Sequence, residues 1–236
     1  KQLLAVLRQL RSENPELTVS VAVTRGADAA GPGVTERVME RFHAHLPRLE
    51  RDQRRKLAED LEAGGRLSAD FVIMLMLSAV IAALGLIQNS AAVVIGGMLV
   101  APLMMPMLAM GLSLVQGNSL LFRQAFKAMA AGVVGALVAA MLVGALSPWD
   151  DLSAEVVARG GPNVFDLAVA LFSGVAAAFA LARPGLASTL VGVAVAVALV
   201  PPLAATGIAL MKQEFSLALG AATLFIVNWL AIVFGA

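Results

Sequence analysis

The chain has 236 residues and no cysteine. Disulfides, thiolate metal ligands and a cysteine nucleophile are therefore excluded. Its two histidines, His43 and His45, stand two apart in a charged stretch. At that spacing they do not share a helix face, and they read as solvated. No phosphate loop, dinucleotide fingerprint, metal-ligand spacing or serine elbow occurs. The expectation is a protein that is not an enzyme, with no catalytic residues, no metal site, no cofactor and no nucleic-acid partner. Charge is also scarce: 14% of residues are charged against 59% hydrophobic, far from the soluble balance.

The charges that exist are unevenly placed. Residues 1–66 hold 12 of the 17 Lys and Arg and 10 of the 16 Asp and Glu. A charged front therefore precedes a long apolar remainder. Within the front, Leu3, Leu4, Leu7 and Leu10 mark one face of a short helix, and Leu17, Val19, Val21 and Val23 alternate as in a strand. Residues 1–25 read as the C-terminal part of a soluble α+β domain, so the chain is expected to be part of a longer one. Residues 26–67 read as a linker, rich in Gly and Pro, and a long charged helix from Thr35 to Glu62. The basic run Arg51-Asp52-Gln53-Arg54-Arg55-Lys56 is first a solvated helix face. The sharper reading is an anchor on anionic lipid beside the first span.

Residues 68–236 hold six apolar segments, near Ala69–Leu86, Ala91–Val115, Ala128–Leu146, Phe165–Ala182, Leu186–Met211 and Phe215–Gly235. A membrane span takes about 20 such residues, so the lipid bilayer is the first partner. The piece Ser119–Lys127 reads as an interfacial segment before the third span. With the front inside, inner loops hold Arg123, Lys127 and Arg183, and outer loops hold only Arg159 and Lys212, with Asp150, Asp151 and Glu155. With six spans, that asymmetry places both termini on the cytoplasmic side.

Two stretches, 98-MLVAPLMMPM-107 and 196-AVALVPPLAA-205, interrupt spans with prolines. Sliding residues 70–140 onto 166–236 pairs Asp70 with Asp166, Gly96 with Gly192, Pro106 with Pro202 and Gly111 with Gly207. Three spans per unit is an odd number, so the second unit crosses in the opposite sense. The fold expected is mainly α: a polytopic membrane protein of six helices, a 3+3 inverted repeat with two proline-broken helices. Folds of this kind bind solutes where broken helices meet near the midplane.

No Lys, Arg, His, Asp or Glu lies in the middle of a span, which argues against a carboxylate-based proton or sodium pump. The pathway candidates are Gln88, Asn89, Ser90, Pro102, Pro106, Pro201, Pro202, Thr206 and Asn228. For Asn228 the bland reading is a hydrogen bond to a neighbouring helix. For the prolines it is a simple kink, and for Gln88-Asn89-Ser90 a polar turn. Asp70 and Asp166 are helix-start carboxylates, read first as caps. Gly132, Ala136, Ala140 and Gly144 form a small-residue stripe that packs either within a subunit or between subunits. The second option, with the long charged helix, leads to the expectation of a homo-oligomer, a trimer before a dimer.

The segment 85-GLIQNSAAVVIGGMLVAPLMMPMLAMGLSLVQGN-118, with 197-VALVPPLAATGIAL-210 and 225-FIVNWLAIVFGA-236, resembles the prokaryotic family catalogued as domain of unknown function three-eight-nine. The resemblance covers about residues 68–236 and implies a bacterial or archaeal membrane protein with a soluble N-terminal domain. It assigns no substrate and no residue roles. The functional expectation is a transporter or channel-like protein for a small anionic or dipolar solute. The alternative is a membrane sensor or scaffold coupled to the soluble domain, without transport.

Overall fold

The computed structural model describes residues 51–148, 151–181 and 188–236. The expected helix and strand of residues 1–25, the linker, the first half of the charged helix, Arg183, and Trp149, an aromatic expected at the outer end of the third span, lie outside the described residues. The second half of the charged helix is α1, Arg51–Gly64. Helix α2, Ala69–Ile87, starts where the Ser68 hydroxyl accepts from the Phe71 N–H at 3.1 Å, a side chain meeting an orphan donor of the first turn. The next apolar run is two helices, α3 (Ala91–Val100) and α4 (Met104–Gln116), bent by 61°. Helix α5, Ser119–Leu146, begins at the Asn118 cap and takes in Ser119–Lys127. That piece is thus the first part of the third apolar helix rather than a separate segment. Nothing between Ser119 and Ala131 is Gly or Pro, so no residue stops the helix there.

A short helix α6 (Ala154–Val157) and a 3₁₀ turn (Ala158–Gly160) lead to α7 (Val164–Leu181), α8 (Ser188–Met211) and α9 (Phe215–Gly235). Among the described residues there is no strand. Helices α2, α5, α7 and α9 are long and apolar enough to cross a membrane, and the bent pair α3–α4 makes five if it is one span.

Helix α8 lies at the centre and packs against α2, α3, α4, α5, α7 and α9. From Val195 to Ala209 every residue except Val197 is buried. A helix apolar on all sides is stable only when surrounded, and α8 has no polar face to offer water. The small-residue stripe of α5 is used inside the subunit. Gly132 faces Phe71 and Leu75 of α2, and Gly144 faces Ile208 of α8. The stripe therefore gives no support to a contact between subunits.

Several features recur 96 residues apart. Gly117 and Gln213 both take left-handed φ, 65° and 60°. The N–H groups of Gly117 and Asn118 donate to Leu114 and Ser113, and those of Gln213 and Glu214 donate to Leu210 and Ala209. These are the same helix-ending turn, and the next helices start at Ser119 and Phe215. Two close contacts also exchange. A Cβ on Gly111 would lie 3.0 Å from the Ala236 Cβ, and one on Gly207 would lie 2.7 Å from the Ala140 Cβ. Adding 96 turns Gly111 into Gly207 and Ala140 into Ala236.

Candidate functional site

The break between α3 and α4 comes from Pro102, which has no N–H to give to Met98. The Ala101 N–H turns to the Met98 carbonyl at 3.3 Å, and the Gly97 carbonyl loses its usual helical donor. The Ser78 hydroxyl of α2 donates to that carbonyl at 2.8 Å. Helix α4 then starts at Leu103, which offers no side-chain cap. Its first N–H groups have no partner within the helix. Pro106 is the third residue of α4, where an N–H would be an orphan in any case, so it is tolerated there. A Cβ on Gly97 would lie 2.8 Å from the Ala82 nitrogen, and one on Gly64 would lie 2.8 Å from the Met105 Cβ. The break thus lies between the middle of α2 and its N-terminal end.

The second expected break is absent. Pro201 and Pro202 sit inside the unbroken α8. Both are buried, among Leu199, Val200 and Leu203. Two prolines deprive the carbonyls of Val197 and Ala198 of their helical donors. The Asn228 side-chain Nδ2 of α9 donates to the Ala198 carbonyl at 2.9 Å, in place of the missing Pro202 N–H. This bond, and packing on every side, hold α8 together. The two proline regions therefore do not form facing breaks. Instead α8 passes beside the one break, where a Cβ on Gly192 would lie 3.7 Å from the Met104 Cβ. Asn228 is 3% exposed, and its Oδ1 has no hydrogen-bond partner. The Thr206 hydroxyl donates within its own helix to the Pro202 carbonyl at 2.8 Å.

Gln88, Asn89 and Ser90 form the α2–α3 turn, at the other end of α3 from Pro102. Asn89, with φ 53°, accepts from the Glu155 N–H at 3.2 Å through its side-chain oxygen. The Ser153 hydroxyl donates to the Leu86 carbonyl. These residues hold the loop before α7 onto the bundle. Asp70 is exposed in the first turn of α2, where Ser68 does the capping. Asp166 accepts from the Asn163 N–H, and the Asn163 side chain accepts from the Asp166 N–H, a reciprocal cap. Ser78 was not among the sequence candidates. A lone hydroxyl in the middle of an apolar span was the signal for it. Among the described residues no group of three His, Asp or Glu side chains is placed to hold a metal ion.

A bundle of long apolar helices around a buried central one, with one helix interrupted inside it, defines a membrane protein with several spans. The family model described as domain of unknown function (DUF389) matches residues 98–234, more than half of the chain. The chain belongs to that family. An uncharacterized protein of the archaeon Methanocaldococcus jannaschii is 29% identical over 189 residues, which cover 78% of this chain and 57% of the relative. This chain thus spans a little over half the length of that relative. No solved structure matches it.

Proposed function

We propose that the protein passes a small solute across a prokaryotic cytoplasmic membrane along the α3–α4 break. The break carries the reading. An interrupted helix inside an apolar bundle leaves backbone groups that require protein, water or a ligand. The start of α4 offers uncapped N–H groups at the positive end of a helix dipole, which suits an anionic or dipolar solute. Asn228 adds an acceptor without a partner. The reading includes six spans, since α8 has 24 residues and reaches about 36 Å at 1.5 Å per residue. It also includes two inverted three-helix units, supported by the turns and contacts that recur at the offset of 96. Both termini are placed in the cytoplasm. No catalytic role is assigned. A homo-oligomer, trimeric by preference, is part of the proposal, and a native mass equal to one chain would remove it.

The absence of cysteine makes the test direct. Met104→Cys, as the sole cysteine, is expected to react with a small impermeant methanethiosulfonate in intact membranes or in inside-out vesicles. Failure to react from either side would sink the pathway. A second reading, a sensor or scaffold without transport, is favoured by the burial of Pro201 and Pro202 among apolar side chains, and an unreactive Met104→Cys supports it.

A further inference from the structure

Helix α1 is rich in charge, yet it does not end in solvent. Leu61 is 3% exposed, and Gly65 is buried. A Cβ on Gly64 would lie 2.8 Å from the Met105 Cβ, and one on Gly65 would lie 2.9 Å from the Ala109 Cβ and 3.6 Å from the Ala125 Cβ. Met105 and Ala109 belong to α4, the half-helix beyond the break. The absence of side chains at two successive positions is what lets the end of α1 lie against α4 at this distance. The ion pair of Arg55 with Glu59 is within the helix and highly exposed, so it does not hold α1 to the bundle.

The orientation of α4 is not set by its own sequence. Leu103 gives no cap, and the Ala101–Leu103 joint has extended backbone at Ala101, with ψ 118°. On the other side of the joint, α3 is held by the Ser78 bond to Gly97. The direction of α4 is therefore decided by what touches it: α1 near its start, α5 along its length, α9 where Gly111 meets Ala236, and also α7 and α8. The corresponding part of the second unit is the C-terminal half of α8, buried on all sides within an unbroken helix. Among the described residues the first unit carries an interrupted helix and the second does not, and the charged helix docks on the first.

We propose that α1 controls the break: docked as here, it holds α4 in its bent position, and its displacement frees α4 to move about Ala101–Leu103. This gives the pathway of the preceding section a regulator on the N-terminal side of the chain, and it rests on that reading only for its effect on a solute. The polar units on either side also argue for a fixed asymmetry rather than an exchange of shapes between the two halves. Ser78, which supports the broken helix, corresponds to Gly174 at the offset of 96, and Asn228, which supports the unbroken one, corresponds to Gly132.

The test uses the whole chain in nanodiscs, with hydrogen exchange read over residues 97–110. Gly65→Val, which pushes a branched side chain into Ala109, is expected to speed exchange there by about fivefold or more, as for a coupling of ordinary size, and to leave residues 195–209 of α8 unchanged. Gly64→Leu, which pushes against Met105 from the preceding position, is expected to do the same. Exchange over residues 97–110 equal to that of the parent in both variants overturns the proposal, and so does exchange that rises equally throughout the bundle. If exchange rises over residues 97–110 alone while Met104→Cys stays unreactive, the control element stands and the pathway falls.

Discussion

Of the buried polar side chains Ser78, Ser113, Ser173, Thr206 and Asn228, two reach across to a neighbouring helix. Asn228 supplies the donor that Pro202 lacks, and Ser78 supplies the one that Gly97 loses at the break. In lipid a bare carbonyl has no water to turn to, so each side chain makes a backbone irregularity tolerable. Replacing Asn228 with Leu is expected to cost about 1–2 kcal/mol, the upper range for an interhelical hydrogen bond in a membrane. The loss is read from thermal unfolding in detergent, with faster hydrogen exchange over residues 195–203. A variant as stable as the parent, with unchanged exchange, would show that packing alone holds α8. Thr206 is a milder case, because its hydroxyl already returns to the Pro202 carbonyl within the helix.

At the level of elements, the same residue type has three outcomes. Pro102 breaks a helix, Pro106 is accommodated in a first turn, and Pro201-Pro202 are carried inside a continuous helix. Their cost depends on which carbonyl loses its donor and on what stands nearby. Pro102→Ala restores an N–H for Met98 and is expected to straighten α3–α4. Spin labels at Ala91→Cys and Gln116→Cys, both exposed positions, should then move apart by several ångström. Straightening from a 61° bend toward a rise of about 1.5 Å per residue requires that increase. Pro201→Ala should leave the shape of α8 as it is, since that helix is already unbroken. If the α3–α4 distance does not change in Pro102→Ala, the bend is imposed by the helices packed around α4 and not by the proline.

For the whole molecule, the proposed orientation is the most exposed to test. Pro162 precedes α7 and Ser119 begins α5, and both are exposed. As sole cysteines, Pro162→Cys should react with an impermeant reagent from outside the cell and Ser119→Cys should not. The reverse pattern would overturn the placement of both termini. The stripe Gly132, Ala136, Ala140 and Gly144 has become an internal contact with α2 and α8. A homo-oligomer must therefore use another face. Helix α7 offers the most exposed one, with Phe165, Phe172 and Phe179 seven residues apart. A small residue every four positions states only that something comes close, because two helices of one chain and two copies of it ask for the same shape.

The signals for where helices begin and end lie in the residues themselves, although the apolar pattern starts the third span near Ala128 and the helix starts at Ser119. Ser68 and Asn118 cap helices with their own side chains, and the turn after Gln116 needs the left-handed φ that Gly117 takes without strain. The pairing of Gly111 with Gly207 follows from an offset read on the sequence alone, and the matching turn at Gln213 emerged only in the structure. These features are local, or repeat a local pattern, so nearest neighbours determine them. Which proline breaks its helix was decided elsewhere. Pro201-Pro202 look at least as disruptive as Pro102, and only the fold brings Asn228, thirty residues from Ala198, to the carbonyl left without a donor. The docking of Gly64 and Gly65 on α4 had no sequence signal beyond two glycines after a charged helix. A backbone group in an apolar interior takes whatever donor the packing brings, and that donor is a property of tertiary structure.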